Sequence, residues 1–207
     1  MVVLHGGASR GEGATVSPAQ LSVLRMVPLA QRIARAGRSR LAVYRLLNSR
    51  RGWDAHHTPV RDAEWALDRI AGRLGPLPTC LVGHSLGGRA ALWSATDAQV
   101  QSVVGLATWV HAGEGLPPLP GRQVLLVHGD EDRVARRANA AAAAARVRRS
   151  ADVVGFVTVR GGRHSMLRRH GTFDGLAADW VAATLLDRPV RAPLAGVLAG
   201  TVHAVSV

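Results

Sequence analysis

The apolar stretch Thr79-Cys80-Leu81-Val82 runs straight into Gly83-His84-Ser85-Leu86-Gly87-Gly88, and the helix-forming Arg89-Ala90-Ala91-Leu92-Trp93 follows at once. Few architectures accept such a segment. A short apolar run ended by glycine reads as a buried strand, and the immediate helix leaves only a very tight turn between them. Gly83 and Gly87 carry no side chains, so strand and helix can approach closely around Ser85. The serine then sits in a strained backbone, with its side chain at the C-terminal edge of a sheet. Gly-x-Ser-x-Gly alone carries little weight; between a buried strand and a helix it singles out Ser85 as a candidate nucleophile.

A serine hydroxyl needs a base, and the base needs an orienting acid. Two further apolar runs supply candidates. Gln123-Val124-Leu125-Leu126-Val127-His128-Gly129 is followed by Asp130-Glu131-Asp132-Arg133-Val134, and Val153–Val159 is followed by Gly161-Gly162-Arg163-His164-Ser165-Met166. His164 and the carboxylates Asp130, Glu131 and Asp132 thus fall just beyond strand ends, where ligand-binding residues gather in open α/β sheets. His5, His84 and His128 also sit at strand ends and are read as braces for the loops. His56, His57, His111, His170 and His203 are read as ordinary loop histidines.

Alternating strand-like and helix-like runs imply an α/β fold, a mainly parallel sheet with helices on both faces. Strands are predicted near 2–5, 40–47, 79–83, 102–108, 123–128 and 153–159. The clearest helix is 59–74, with Thr58 as cap, Pro59 at its first position and Gly75 at its end. Others are predicted at 20–36, kinked or restarted at Pro28, at 134–149 and at 173–186. Residues 1–187 form one domain, and 188–207 read as a C-terminal tail, packed on it or loose.

At this point the chain resembles an α/β hydrolase over nearly all its length, to about Leu186. Met1-Val2-Val3-Leu4-His5-Gly6-Gly7 is similar to the family's oxyanion strand and loop. Val127–Val134 resembles its acid loop, with the acid at Asp132, and Gly162-Arg163-His164-Ser165 resembles its histidine loop. The chain order Ser, Asp, His is the one this fold uses. The resemblance implies a serine hydrolase cleaving small carboxylic esters or thioesters through an acyl-enzyme, with Ser85, His164 and Asp132 as triad; Asp130, within reach on the same loop, is the substitute acid. It implies no metal and no organic cofactor. The N–H of Leu86 and a donor from the first loop, Gly7 and then Ala8, would hold the oxyanion. Ala8, Trp109, Val110, Val134 and Met166 flank the motifs and are candidates for the substrate site. The scaffold also hosts peptidases, lactonases, perhydrolases and non-catalytic binding proteins; the last usually lack a triad member, and all three candidates are present here.

Two departures from the family matter. The segment Trp109–Arg122 has only 14 residues, too few for the usual helical cap. An open site favouring short acyl groups, about two to six carbons, is the expectation. The family's opening hairpin also has no counterpart, which fits either a minimal form or a start further upstream.

At 207 residues the chain is long enough for one well-buried core. An apolar content of 47% and a charged content of 19% suit a globular enzyme rather than a disordered chain. The net charge of +12 invites a nucleic-acid reading, but all 26 basic residues are arginines spread along the chain, with no binding motif. The group Arg133, Arg136, Arg137, Arg146, Arg148 and Arg149 brackets an alanine-rich helix and reads as its solvated surface. One cysteine, Cys80, no visible secretory signal and no apolar stretch long enough for a bilayer point to a cytoplasmic protein with small-molecule partners, neither nucleic acid nor membrane. Oligomeric state is not legible.

Overall fold

A computed structural model describes residues 1–7 and 13–207. Among these residues seven strands form one sheet in the order β2-β1-β3-β4-β5-β6-β7, with every pairing in it parallel. They are β1 (Val2–Leu4), β2 (Tyr44–Leu46), β3 (Thr79–His84), β4 (Val100–Leu106), β5 (Gln123–Gly129), β6 (Val153–Val159) and β7 (Ala204–Ser206). The helices are α1 (Leu21–Leu24), α2 (Met26–Gly37), α3 (Thr58–Leu74), α4 (Leu86–Trp93), α5 (Arg137–Val147), α6 (His170–Leu186) and α7 (Leu194–Leu198).

The central strands are buried on both faces, and the period-2 alternation of strand side chains divides the core in two. Val82, Val104, Leu125, Val127 and Val157 meet α2, α6 and α7 on one face. Leu81, Val103, Val124, Leu126 and Phe156 meet α3, α4 and α5 on the other. Doubly covered strands must be apolar throughout, which explains runs such as Thr79–His84, buried at every position. No helix among the described residues is long and apolar enough to cross a membrane.

Differences from the predicted boundaries arise where loop side chains take over backbone groups or where turns redirect the chain. α5 begins at Arg137 rather than 134, because Asp132 Oδ1 accepts the N–H groups of Val134 and Ala135, both at 2.9 Å. β4 stops at Leu106, since Ala107 takes φ 47° and turns the chain away. The predicted strand 40–47 shrinks to 44–46 behind a turn in which Arg38 and Ser39 both have positive φ. Thr58 does not cap α3 but opens it. Its N–H and hydroxyl both bond to Asp54, whose carboxyl is held below its ordinary range chiefly by the Thr58 hydroxyl. The predicted helix 20–36 divides at Arg25, and Pro28 lies in the first turn of α2, where a missing N–H costs nothing.

Residues 188–207 add structure to the domain. Leu194 and Val197 of α7 are buried in the core, and β7 extends the sheet beyond β6. Val197 occupies the space beside Gly155 of β6, where a side chain would collide with it.

Candidate active site

The turn between β3 and α4 places Ser85 at φ 54°, ψ −114°, a sparsely populated conformation for a residue with a side chain. Surrounding packing enforces it. A Cβ on Gly83 would fall on the Gly87 backbone, and one on Gly87 would meet the carbonyls of Leu4 and His5. The Ser85 N–H donates to Leu106 O at 2.9 Å, and its carbonyl accepts the Trp109 N–H at 3.2 Å. The serine is thus fixed between β1, β3 and the chain leaving β4.

His164 follows β6 and Asp132 follows β5, and adjacent loops bring them together. Gly129 and Gly162 approach so closely that a side chain on either would strike the other's backbone. Glu131 N–H donates to Gly162 O at 3.0 Å, and Gly161 N–H donates to Asp130 Oδ1 at 2.7 Å. Across this seam His164 Nδ1–H donates to Asp132 Oδ2 at 2.9 Å, while the Ser85 hydroxyl donates to His164 Nε2 at 3.0 Å. Ser85, His164 and Asp132 therefore form one hydrogen-bonded chain, and Asp130 serves as a loop brace.

Burial raises the pKa of the Asp132 carboxyl, but hydrogen bonds from His128, His164 and Ala135 outweigh it and hold the group below the usual carboxylate range. It is ionised at neutral pH. His128 Nε2–H donates to Ala135 O at 3.0 Å and lies 3.2 Å from Asp132 Oδ2. His84 Nε2–H donates to His164 O at 2.8 Å, and burial pushes its pKa down to about 3, so it stays neutral. His5 donates from Nδ1 to Gly6 O at 2.8 Å and accepts the Asn48 N–H at 3.1 Å. All three strand-end histidines brace loops. Burial drives the Cys80 thiol up to about 12, which removes it as a rival nucleophile.

Leu86 opens α4, and its N–H has no acceptor among the described residues. Gly7 packs directly on it: a Cβ there would lie 2.7 Å from Leu86 Cδ1. Gly7 thus lies against the Leu86 side chain, beside the N-terminus of α4, the positive end of its dipole.

A cavity of about 850 Å³ opens beside Ser85 and His164, bordered by Gly6, Gly7 and His84. Of the residues predicted to line it, Val134 does. Trp109, Val110 and Met166 do not. After the Ala107 turn, Val110 is buried in the core, and Trp109 packs edge-on against His111. Met166, at φ 55°, is wholly buried under α6, leaving its neighbours Ser165 and Leu167 on the cavity. Ala8 lies outside the described residues. The largest omission from the sequence reading is the wall formed by Leu21, Ser22, Leu24, Arg25 and Pro28. A signal existed: Leu21, Leu24 and Pro28 are out of phase with the core stripe Val23, Met26, Ala30 and Ile33.

No model of a known protein family and no curated protein sequence matches the chain. Many solved structures share its architecture. A candidate α/β hydrolase of unknown function from Agrobacterium tumefaciens superposes with TM-score 0.68 at 17% identity, covering 93% of this chain and 88% of that one. A lidless α/β serine hydrolase from Xanthomonas campestris gives 0.66 at 17%, covering 91% and 83%. The esterase domain of a Rhodothermus marinus protein gives 0.59 at 16%, covering 89% and 86%. The fold is that of the α/β hydrolases, with no cap among the described residues.

Proposed function

We propose that the protein is a serine hydrolase that cleaves carboxylic ester or thioester bonds through an acyl-enzyme. The observation that carries this reading is the Ser85–His164–Asp132 relay ending on a strained serine at the cavity wall. Ser85 Oγ attacks the carbonyl carbon while His164 Nε2 takes its proton. The ionised Asp132 holds the Nδ1–H tautomer and stabilises the imidazolium. Charge moves to the carbonyl oxygen, where the N–H groups of Leu86 and Gly7 receive it; such donors are worth roughly 3–4 kcal/mol each in other enzymes. The tetrahedral adduct collapses as His164 protonates the departing alcohol or thiol. Water, activated by the same imidazole, then attacks the acyl-enzyme and frees Ser85.

Fluorophosphonate labelling tests the reading without knowledge of the natural substrate, because it requires only an activated serine. The wild type takes one label per chain. Ser85→Ala abolishes both labelling and p-nitrophenyl ester turnover while its circular dichroism is unchanged. A covalent adduct forming on Ser85→Ala at the wild-type rate would refute the assignment.

A further inference from the structure

Two apolar stripes run along α1 and α2. Val23, Met26, Ala30 and Ile33 turn inward, whereas Leu21, Leu24 and Pro28, spaced i, i+3, i+7, line the cavity beside Ser85. Leu21 is 83% exposed and Leu24 46%; the other large apolar side chains on the cavity, Val134 and Leu167, are 65% and 67% exposed. Exposed apolar side chains gathered around a single opening mark a binding surface rather than ordinary scatter. Four charged residues line the cavity; Arg25, Glu131 and Arg163 are held in ion pairs, and Arg133 stands exposed with none among the described residues. Arg25 gives its guanidinium to Asp174 in a bidentate pair, at 2.7 and 3.3 Å, and Arg163 pairs with Glu131 at 3.0 Å. The volume, about 850 Å³, lies near the upper end of the roughly 300–1,000 Å³ usual for small-molecule sites. An acetyl group would fill only a corner of it.

We propose that the Leu21–Leu24–Pro28 stripe is an acyl-chain subsite, and that the preferred substrates are esters or thioesters of acyl groups of about eight carbons or more. The occupant is the substrate's own chain, because the cavity that holds the stripe also holds Ser85 and His164. A chain whose carbonyl stands at Ser85 continues directly onto this wall, whereas a protein partner seated there would cover the serine. The absence of a cap therefore does not leave the acyl group uncovered; the helix pair at the N-terminal end of the chain supplies the apolar wall. The inference rests on the ester-hydrolase reading and reverses the short-chain preference expected from the missing cap.

The test is kcat/KM for p-nitrophenyl acetate, butanoate, octanoate and decanoate, each below its aggregation concentration. Wild type, Leu21→Asp and Leu24→Asp are compared, with fluorophosphonate labelling and sedimentation run on all three. In the wild type kcat/KM rises through octanoate, by at most nearly fourfold per buried methylene. Each variant remains folded and labelled and loses at least tenfold more activity on octanoate than on acetate. A wild-type profile that peaks at butanoate with labelling intact overturns the subsite and leaves the hydrolase reading standing. So do variants that lose acetate and octanoate activity equally, or a dimer of the wild type that either variant breaks while chain selectivity is kept. A wild type that takes no label overturns both.

Discussion

Asp130 and Asp132 stand two positions apart on one loop, yet they bond to different partners. Asp132 reaches His164 Nδ1, while Asp130 accepts the Gly161 N–H and ties the two loops together. Their spacing could not distinguish them, since both are within reach of the same imidazole. Asp132→Asn would present His164 with the wrong donor and lower kcat by about 10⁴, the loss known for this change in trypsin. Asp130→Asn should cost far less; steady-state kinetics showing the reverse order would move the acid. His84 gives a second test, through pH. An unfolded histidine takes up a proton near 6.5, whereas folded His84 resists protonation until about 3. Between those values the unfolded chain binds the extra proton, so this contribution to stability is complete above pH 6.5 and falls away as pH drops towards 3. The slope is at most about 1.4 kcal/mol per pH unit. Urea unfolding between pH 7 and 4 should show a weaker pH dependence in His84→Gln, which keeps a donor for His164 O; an unchanged slope would exclude His84 as its source.

α6 carries the clearest case of one element holding others in place. Its Asp174, 3% exposed, grips Arg25 at the α1–α2 joint, and the same guanidinium donates to Met166 O at 3.3 Å in the histidine loop. One ion pair therefore joins the cavity wall, α6 and the segment carrying His164. Removing one partner strands a buried charge, so Asp174→Ala should destabilise the fold by about 3–5 kcal/mol, with Arg25→Met/Asp174→Leu recovering much of the loss. Equilibrium unfolding of the three proteins decides it; a double variant no more stable than Asp174→Ala would contradict this account. Elements of this kind were legible in the sequence to different degrees. β3, β5 and β6 could be read because strands covered on both faces must be continuously apolar. The helix 20–36 is legible as a helix, but its stripe Leu21, Leu24 and Pro28 is assigned no role from the sequence. Its role depends on a neighbour, the histidine loop, more than a hundred positions away, and no local pattern records such a contact. The start of α5 was misplaced for a related reason: a carboxylate on the preceding loop had taken the N–H groups a helix would have used.

Beyond β6 the sheet ends in three residues, Ala204–Ser206, too short and too little apolar to be read as a strand from the sequence. They nevertheless cover the edge of β6, and α7 fills the groove beside it. A chain cut after Asp187 would expose an unpaired parallel edge and the apolar surface under Leu194 and Val197. Size-exclusion chromatography of that truncation should show self-association and a lowered melting temperature. A monomer as stable as the full chain would mean that the edge needs no cover. The relay also depends on how much of the sheet has formed. Ser85 and His164 are 79 positions apart and His164 and Asp132 32 apart; they follow β3, β6 and β5, and β4 lies in the sheet between β3 and the adjacent pair β5 and β6. All three come together only when β3, β4, β5 and β6 are in place, so the hydrogen-bonded chain cannot form before β6 has docked. On the hydrolase reading proposed above, a nascent or misassembled copy accordingly carries no activated serine with which to attack the acyl groups around it.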